Sequence, residues 1–462
     1  MPPSTPQARW PDLVRFGILV ALIVACFLGG GASRLDVLSL IYLQPFAVIC
    51  LAALLIVPGP IEWRTVLAPL LMLAALAAII ASQLIPLPPG LWAALPGHGS
   101  FAEIASGAGA GAVWRPISLT PDLGLASLAG LVVPAAALIG FAAIPRALTY
   151  SLLPILLAGA VISILVGLAQ VGGGERSPFY LYAVTSPGLP VGLFSNRNHQ
   201  AVLLVMAWPM LAVWAACSTG NRRADDVRRS VALALAILLL PVLVITGSRA
   251  GLALAPVALL LAAAIWRAHN VGGLRLAPRA RRLVWAGAGI TAVLVVGAAI
   301  GLSRDEAIRR FFESSFEDDS RFQHMPVMLR ILGDFFPVGS GFGSFDPIYR
   351  FYEPDALLSA TYFNHAHNDL MEIAITGGLP AILLALAFLL WAGRNIFAAF
   401  RDRSASRRRA FAWLAGGIIL VALASSLVDY PLRTPLMSVL FALACGWLGQ
   451  GRSSARDASA RG

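Results

Sequence analysis

Again and again this chain runs for the length of a bilayer crossing without a charged side chain. The stretch "LLPILLAGAVISILVGLAQV" at 152–171 is one such run. About 20 apolar residues in a row match a hydrocarbon core of about 30 Å when coiled as a helix. A water-soluble chain of 462 residues would coat its core with charge, but here charged residues make up 12% and hydrophobic ones 58%, with a mean hydropathy of +0.79. Together these predict an all-α polytopic membrane protein whose solvent is the lipid bilayer, and argue against a soluble helical protein.

Spans are expected at about 13–30, 37–57, 66–85, 123–144, 148–171, 199–217, 230–246, 250–266, 284–302, 379–393, 411–428 and 435–449, about 12 transmembrane helices in all. The first has the look of a signal peptide, with Arg9 and Arg15 before it and the small residues Gly29 to Ser33 after it. A second span follows almost at once, so the first is read as retained. The chain then divides into a bundle over 1–302 with an outer loop at 86–122, one large loop at 303–378, the last spans over 379–450 and a tail at 451–462.

Orientation comes from arginine, since all 34 basic residues are Arg. With the N-terminus placed in the cytoplasm, 22 of the 34 arginines fall inside and 12 outside, although the outer loops are the longer ones. The positive-inside rule then puts both termini in the cytoplasm. The net charge of +11 is on this reading a topology signal, and "NRRADDVRR" and "RDRSASRRR" lack the aromatic or groove-reading context of a nucleic-acid site. Cys26, Cys50, Cys217 and Cys445 lie in apolar spans without CxxC spacing and are expected to be packing residues.

The topology sorts the polar motifs by side. The large loop carries more than half of the acidic residues and ends in "NHAHNDLMEI". On the same face "GLFSNRNHQA" places Arg197 and His199 at the start of the sixth span, "ITGSRAGL" places Arg249 in the turn between the seventh and eighth, and "DYPLRTP" places Asp429 and Arg433 between the last two. Taken singly, each could be a snorkelling interfacial arginine or a helix cap. Gathered on one face of a membrane protein they form a functional-site hypothesis, because charge near hydrocarbon is costly.

Arginine presents a rigid fork matched to phosphate oxygens and stays charged in a low dielectric. A neutral histidine beside it can take or orient the proton of an attacking hydroxyl near neutral pH. The set therefore suits a lipid-diphosphate donor whose head group lies outside the membrane and is attacked by an acceptor hydroxyl. Such a transfer needs no metal where arginines neutralise the leaving diphosphate, and no cofactor is called for. "HAH" with Asp369 is weighed as a metal site and set aside, and "GSGFGSF", which is neither G-x-G-x-x-G nor G-x-S-x-G, is read as a turn. His98 and His269 are read as isolated loop residues.

The combination of "FSNRNHQA", "TGSRAGL", the long outer loop with "PVGSGFGSF", and "HAHNDLMEI" followed by "GGL" resembles the bacterial O-antigen ligase and polymerase family, which also includes protein O-oligosaccharyltransferases. The resemblance covers about residues 192–390. It implies a GT-C-like helical fold in the bacterial inner membrane, a large periplasmic loop, and inverting, metal-independent transfer of a glycan from undecaprenyl diphosphate. The acceptor would be lipid A-core or another lipid-linked glycan, and the active site would face the periplasm.

Carried over residue by residue, the resemblance makes Arg249 and Arg321 the diphosphate-binding arginines, with Arg197 beside them. His367 becomes the base or hydroxyl-orienting group with His365 as its competitor. Asn368, Asp369, His199 and Arg433 are supporting residues, and Asp369 has helix capping as its equal alternative. The rival class is a transporter or flippase for lipid-linked glycans, but that would place polar groups at the bilayer midplane, often in two related halves. With about 13 residues after the last span, no soluble C-terminal domain is expected, which speaks against the larger protein transferases.

Overall fold

The computed structural model describes residues 9–34, 36–269, 323–358, 363–402, 404 and 406–459. Apart from one two-residue pairing of Pro86–Leu87 with Arg115–Pro116, its regular elements among these residues are helical. Among the described residues, ten helices are long and apolar enough to cross a membrane. In chain order the first eight are α1 (Trp10–Gly29), α2 (Ser39–Ile56), α3 (Trp63–Gln83), α4 (Pro121–Ala143), α5 (Leu152–Gly173), α6 (Arg197–Ala216), α7 (Arg222–Ile245) and α8 (Arg249–Ala268). After them come two short helices, α9 (Met325–Phe335) and α10 (Phe345–Tyr352), then the spans α11 (Asp369–Arg401) and α12 (Arg407–Ser425). The last helix, α13 (Pro435–Ser459), has a shorter apolar part, Pro435–Gly451. Eleven of the expected spans thus coincide with helices, while the ninth, at 284–302, lies outside the described residues.

Burial follows the logic of a lipid solvent. α6 is apolar on every side and 89% buried, with α5, α7, α8 and α12 packed around it, so it forms the axis of the bundle. The outer helices leave residues such as Leu28, Ile56, Leu260 and Leu390 exposed, which carries no hydrophobic cost where the surroundings are acyl chains. Small residues bring backbones together: a Cβ on Gly449 of α13 would stand 1.9 Å from the carbonyl oxygen of Thr65 in α3.

Arg15, expected as a flanking charge, is instead buried inside α1. Its guanidinium donates to the carbonyls of Val57, Gly59, Pro60 and Ala143, so every N–H is used and the α2–α3 loop is tied to α4. His98, expected in an open loop, is likewise buried. Its two ring nitrogens bond the carbonyls of Pro96 and Ile117, and its ring packs edge-on against Trp92 and Phe335.

The tenth expected span begins where hydropathy puts it, at a break at Gly378 (φ 61°) that divides α11 into a short helix from Asp369 and the apolar helix after it. Such a break survives in a membrane protein only if the freed backbone groups find partners. Here the glycine loop supplies them: Ser340 N donates to Ile375 O at 3.0 Å, Gly341 N to Thr376 O at 2.9 Å, and Leu379 N to Pro337 O at 2.8 Å. Gln83, at the end of α3, adds a bond from Nε2 to Thr376 O at 2.9 Å. "GSGFGSF" is therefore more than a turn. A Cβ at Gly339 or Gly341 would fall 2.5 Å from Thr376 O or 2.4 Å from Ser118 Oγ, so glycine is what lets the loop clasp the break. A second small core, with Met328, Ile331, Phe335, Phe345, Tyr349, Phe363 and Ile375, holds α9 and α10 against the first turns of α11.

Candidate functional site

α11 starts at one end of the bundle, where Asn368 caps it by accepting the Met371 N–H at 3.1 Å. Residues three apart share a helix face, so Asp369 and Glu372 stand side by side. Arg433, in the loop between α12 and α13, meets both: Nε donates to Asp369 Oδ1 at 2.8 Å, and Nη1 lies 3.1 Å from Glu372 Oε1. The remaining lone pairs are filled. Ser426 Oγ donates to Asp369 Oδ2 at 2.9 Å, the Ala366 N–H donates to Glu372 Oε2 at 2.9 Å, and His365 Nδ1 lies 3.1 Å from Glu372 Oε1. Both carboxylates are buried, and this full set of partners is what makes such burial affordable.

His367 takes another direction. Its backbone lies in the left-handed region at φ 48°, uncommon for any residue but glycine. While His365 engages Glu372, His367 Nδ1 stands 3.7 Å from Asp429 Oδ1, and His199 Nε2 approaches the same oxygen at 3.8 Å from the first turn of α6. Asp429 Oδ1 also accepts the Tyr430 N–H at 2.9 Å. The Tyr430 ring sits among all three imidazoles, with centroids 4.3 Å from His365, 5.0 Å from His367 and 5.4 Å from His199. Burial pushes the Asp429 carboxyl up, but the two histidines beside it outweigh that and hold it well below the ordinary carboxylate range. Asp429 and His199 are closed off from solvent at 1% and 0% side-chain exposure, while His367 retains 23%. It is thus the opening of the cluster.

The other wall comes from α9, α10 and the segment that follows them. Phe363 lies 5.4 Å from the His367 ring and stacks on His324, which shares a hydrogen bond with the Tyr349 hydroxyl. Burial lowers the His324 pKa, with Glu353 opposing and His367 adding to the shift.

The two expected arginines that can be placed stand at neighbouring helix starts. Arg197 opens α6 after the cap Asn196, and a Cβ on Gly247 would lie 3.2 Å from its Nη1, so it borders the turn into α8. Arg249 opens α8 after the cap Ser248 and is exposed. Arg321 lies outside the described residues.

Among the described residues no three His, Cys, Asp or Glu side chains form a metal-holding group, and His365, His367 and Asp369 each turn to a different partner. Arg433, expected as a support, is committed to two carboxylates.

Sequence reasoning passed over Glu372 and Tyr430 and gave Asp429 no role. The i, i+3 spacing of Asp369 and Glu372 was a readable signal for the first. Nothing local tells that "DY" lies against "HAH".

Fold and site together define a polytopic all-α membrane protein with a histidine, carboxylate and arginine cluster at one end of its bundle, beside the short helices α9 and α10. Residues 234–386 match the O-antigen ligase family model, so this part of the chain is similar to an O-antigen ligase domain. The matched stretch holds Arg249, His365, His367, Asp369 and Glu372, whereas Arg197, His199, Asp429 and Arg433 come from flanking segments, and the fold brings His199, Asp429 and Arg433 against His367 and Asp369. No curated protein matches the chain. The family is one of glycosyltransferase-like membrane proteins of O-antigen and surface-polysaccharide assembly.

Proposed function

We propose that this protein transfers a glycan from undecaprenyl diphosphate to an acceptor hydroxyl at the periplasmic face of the inner membrane, as an O-antigen ligase or polymerase. The observation that carries the reading is the pairing of His367 with the buried Asp429. A carboxylate beside Nδ1 favours the tautomer with its proton there and leaves Nε2 as the acceptor of a proton. The acceptor hydroxyl loses its proton to Nε2 as its oxygen bonds to the anomeric carbon of the donor. The bond from that carbon to the diphosphate oxygen breaks, and the lipid diphosphate leaves from the opposite face, inverting the centre.

Arg249 and Arg197, with Arg321, neutralise the charge that gathers on the leaving group and take the place of a metal ion. His365, Glu372, Asp369 and Arg433 hold the loop that carries His367. Support for this division lies in their partners: the supporting charges satisfy one another, whereas His367 Nδ1 has no hydrogen-bond partner.

The test uses purified protein in detergent with an undecaprenyl-diphosphate-linked glycan. Transfer to lipid A-core identifies a ligase, and a ladder of longer lipid-linked glycans a polymerase. Donor binding with no transfer to any acceptor would replace the enzyme reading by that of a transporter.

A further inference from the structure

α6 begins beside the histidine cluster and runs 20 residues, about 30 Å, so the segment that follows it lies at the opposite end of the bundle. A groove of about 450 Å³ opens there between the end of α6 and the start of α7, lined by Trp214, Arg223, Val227, Arg228 and Val231 among others. Its two parts differ in character. Val227 and Val231 are 59% and 42% exposed and, four residues apart, share one helix face that continues toward the lipid. Arg223 stands a turn before Val227, and Arg228 follows Val227 directly.

The charges around the groove do not cancel. Asp225 is saturated by Ser218, Thr219 and the Arg228 guanidinium at 3.0 Å, and Asp226 pairs with Arg229 at 3.5 Å. Arg222 and Arg223 are exposed with no acidic partner among the described residues, Arg228 Nε is buried without one, and Arg407 reaches the carbonyl of Ser218 at 3.3 Å. Five arginines thus face two aspartates that are already engaged. The recess offers guanidinium at its head, valine along its floor and tryptophan, a residue suited to the membrane interface, at its side.

We propose that this groove binds the head group of an anionic phospholipid in the leaflet opposite the polar site, with an acyl chain along Val227 and Val231. Guanidinium groups match the phosphate, and excess positive charge selects phosphatidylglycerol-type over phosphatidylethanolamine-type lipid, whose ammonium it repels.

The experiment is native mass spectrometry of the delipidated full chain in detergent, offered equal amounts of phosphatidylglycerol and phosphatidylethanolamine. Wild-type protein retains the anionic lipid preferentially, Arg223→Glu lowers its retention about 5-fold, and Arg223→Lys restores most of it. Equal retention of the two lipids by wild type, or unchanged retention by Arg223→Glu, overturns the proposal. A second readout does not depend on the charge variant: phosphatidylglycerol brominated in its acyl chains quenches wild-type fluorescence more than that of Trp214→Phe. Equal quenching of the two proteins would place the lipid elsewhere and also overturn it.

Discussion

His367 Nδ1 stands 3.7 Å from Asp429 Oδ1, across a loop contact that joins residues 62 positions apart in sequence. The distance is too long for a hydrogen bond, and catalytic contacts of this kind often tighten when substrate binds. Asp429→Asn keeps the shape and removes the charge that fixes the imidazole. Transfer is expected to slow about 10²-fold or more with little change in donor binding, measured as initial rate against donor concentration.

The same carboxyl sets a pH dependence of stability. Its folded pKa lies well below the unfolded value of about 3.9, so its contribution is complete above about pH 4 and is lost as pH falls below that. Thermal melts in detergent should show the gap between wild type and Asp429→Asn narrowing below about pH 4. A gap that widened on acidification would reverse the assigned sign.

Arg433→Ala leaves Asp369 and Glu372 buried without their common cation. A loss of about 3 kcal/mol in stability is expected, since removing one member of a buried ion network strands the others. Chemical denaturation measures it, and Arg433→Lys should recover only part because it cannot span both carboxylates with one planar fork.

A Cβ at Gly378 would lie 2.3 Å from Pro337 O at a φ of 61°, whereas Gly333 in α9 has open space around it. Gly378→Ala should therefore cost at least about 1 kcal/mol and loosen the start of α11, while Gly333→Ala is neutral. Melting temperatures of the two variants compare them directly.

Arg249→Ala is expected to weaken donor binding about 10-fold with the fold intact, the worth of one charge-assisted contact to phosphate. Titration of the purified protein with donor reads this, and Arg249→Lys should bind at an intermediate level.

Much of this was legible in the sequence. Charge-free runs gave the helices because a bilayer leaves the backbone almost no alternative. The outer-face motifs also named most of the residues that meet. Hydropathy found the apolar helix after Gly378, but not the short helix from Asp369 before it or the hydrogen bonds from residues 337–341 that clasp the break between the two. Arg15 reads as a flanking charge, and only the carbonyls of the α2–α3 loop and of Ala143 at the end of α4 explain its burial. The pairing of Asp429 with His199 and His367, and with it the place of Tyr430, escaped for the same reason: those histidines are 230 and 62 positions away from Asp429, a distance that local spacing does not encode.

The most direct test of the account is the rate of glycan transfer by wild-type protein and His367→Ala at saturating donor and acceptor, with donor binding measured in parallel. The account predicts a fall of about 10²-fold to 10⁴-fold in rate with donor affinity unchanged. Wild-type transfer by a folded His367→Ala protein would contradict it.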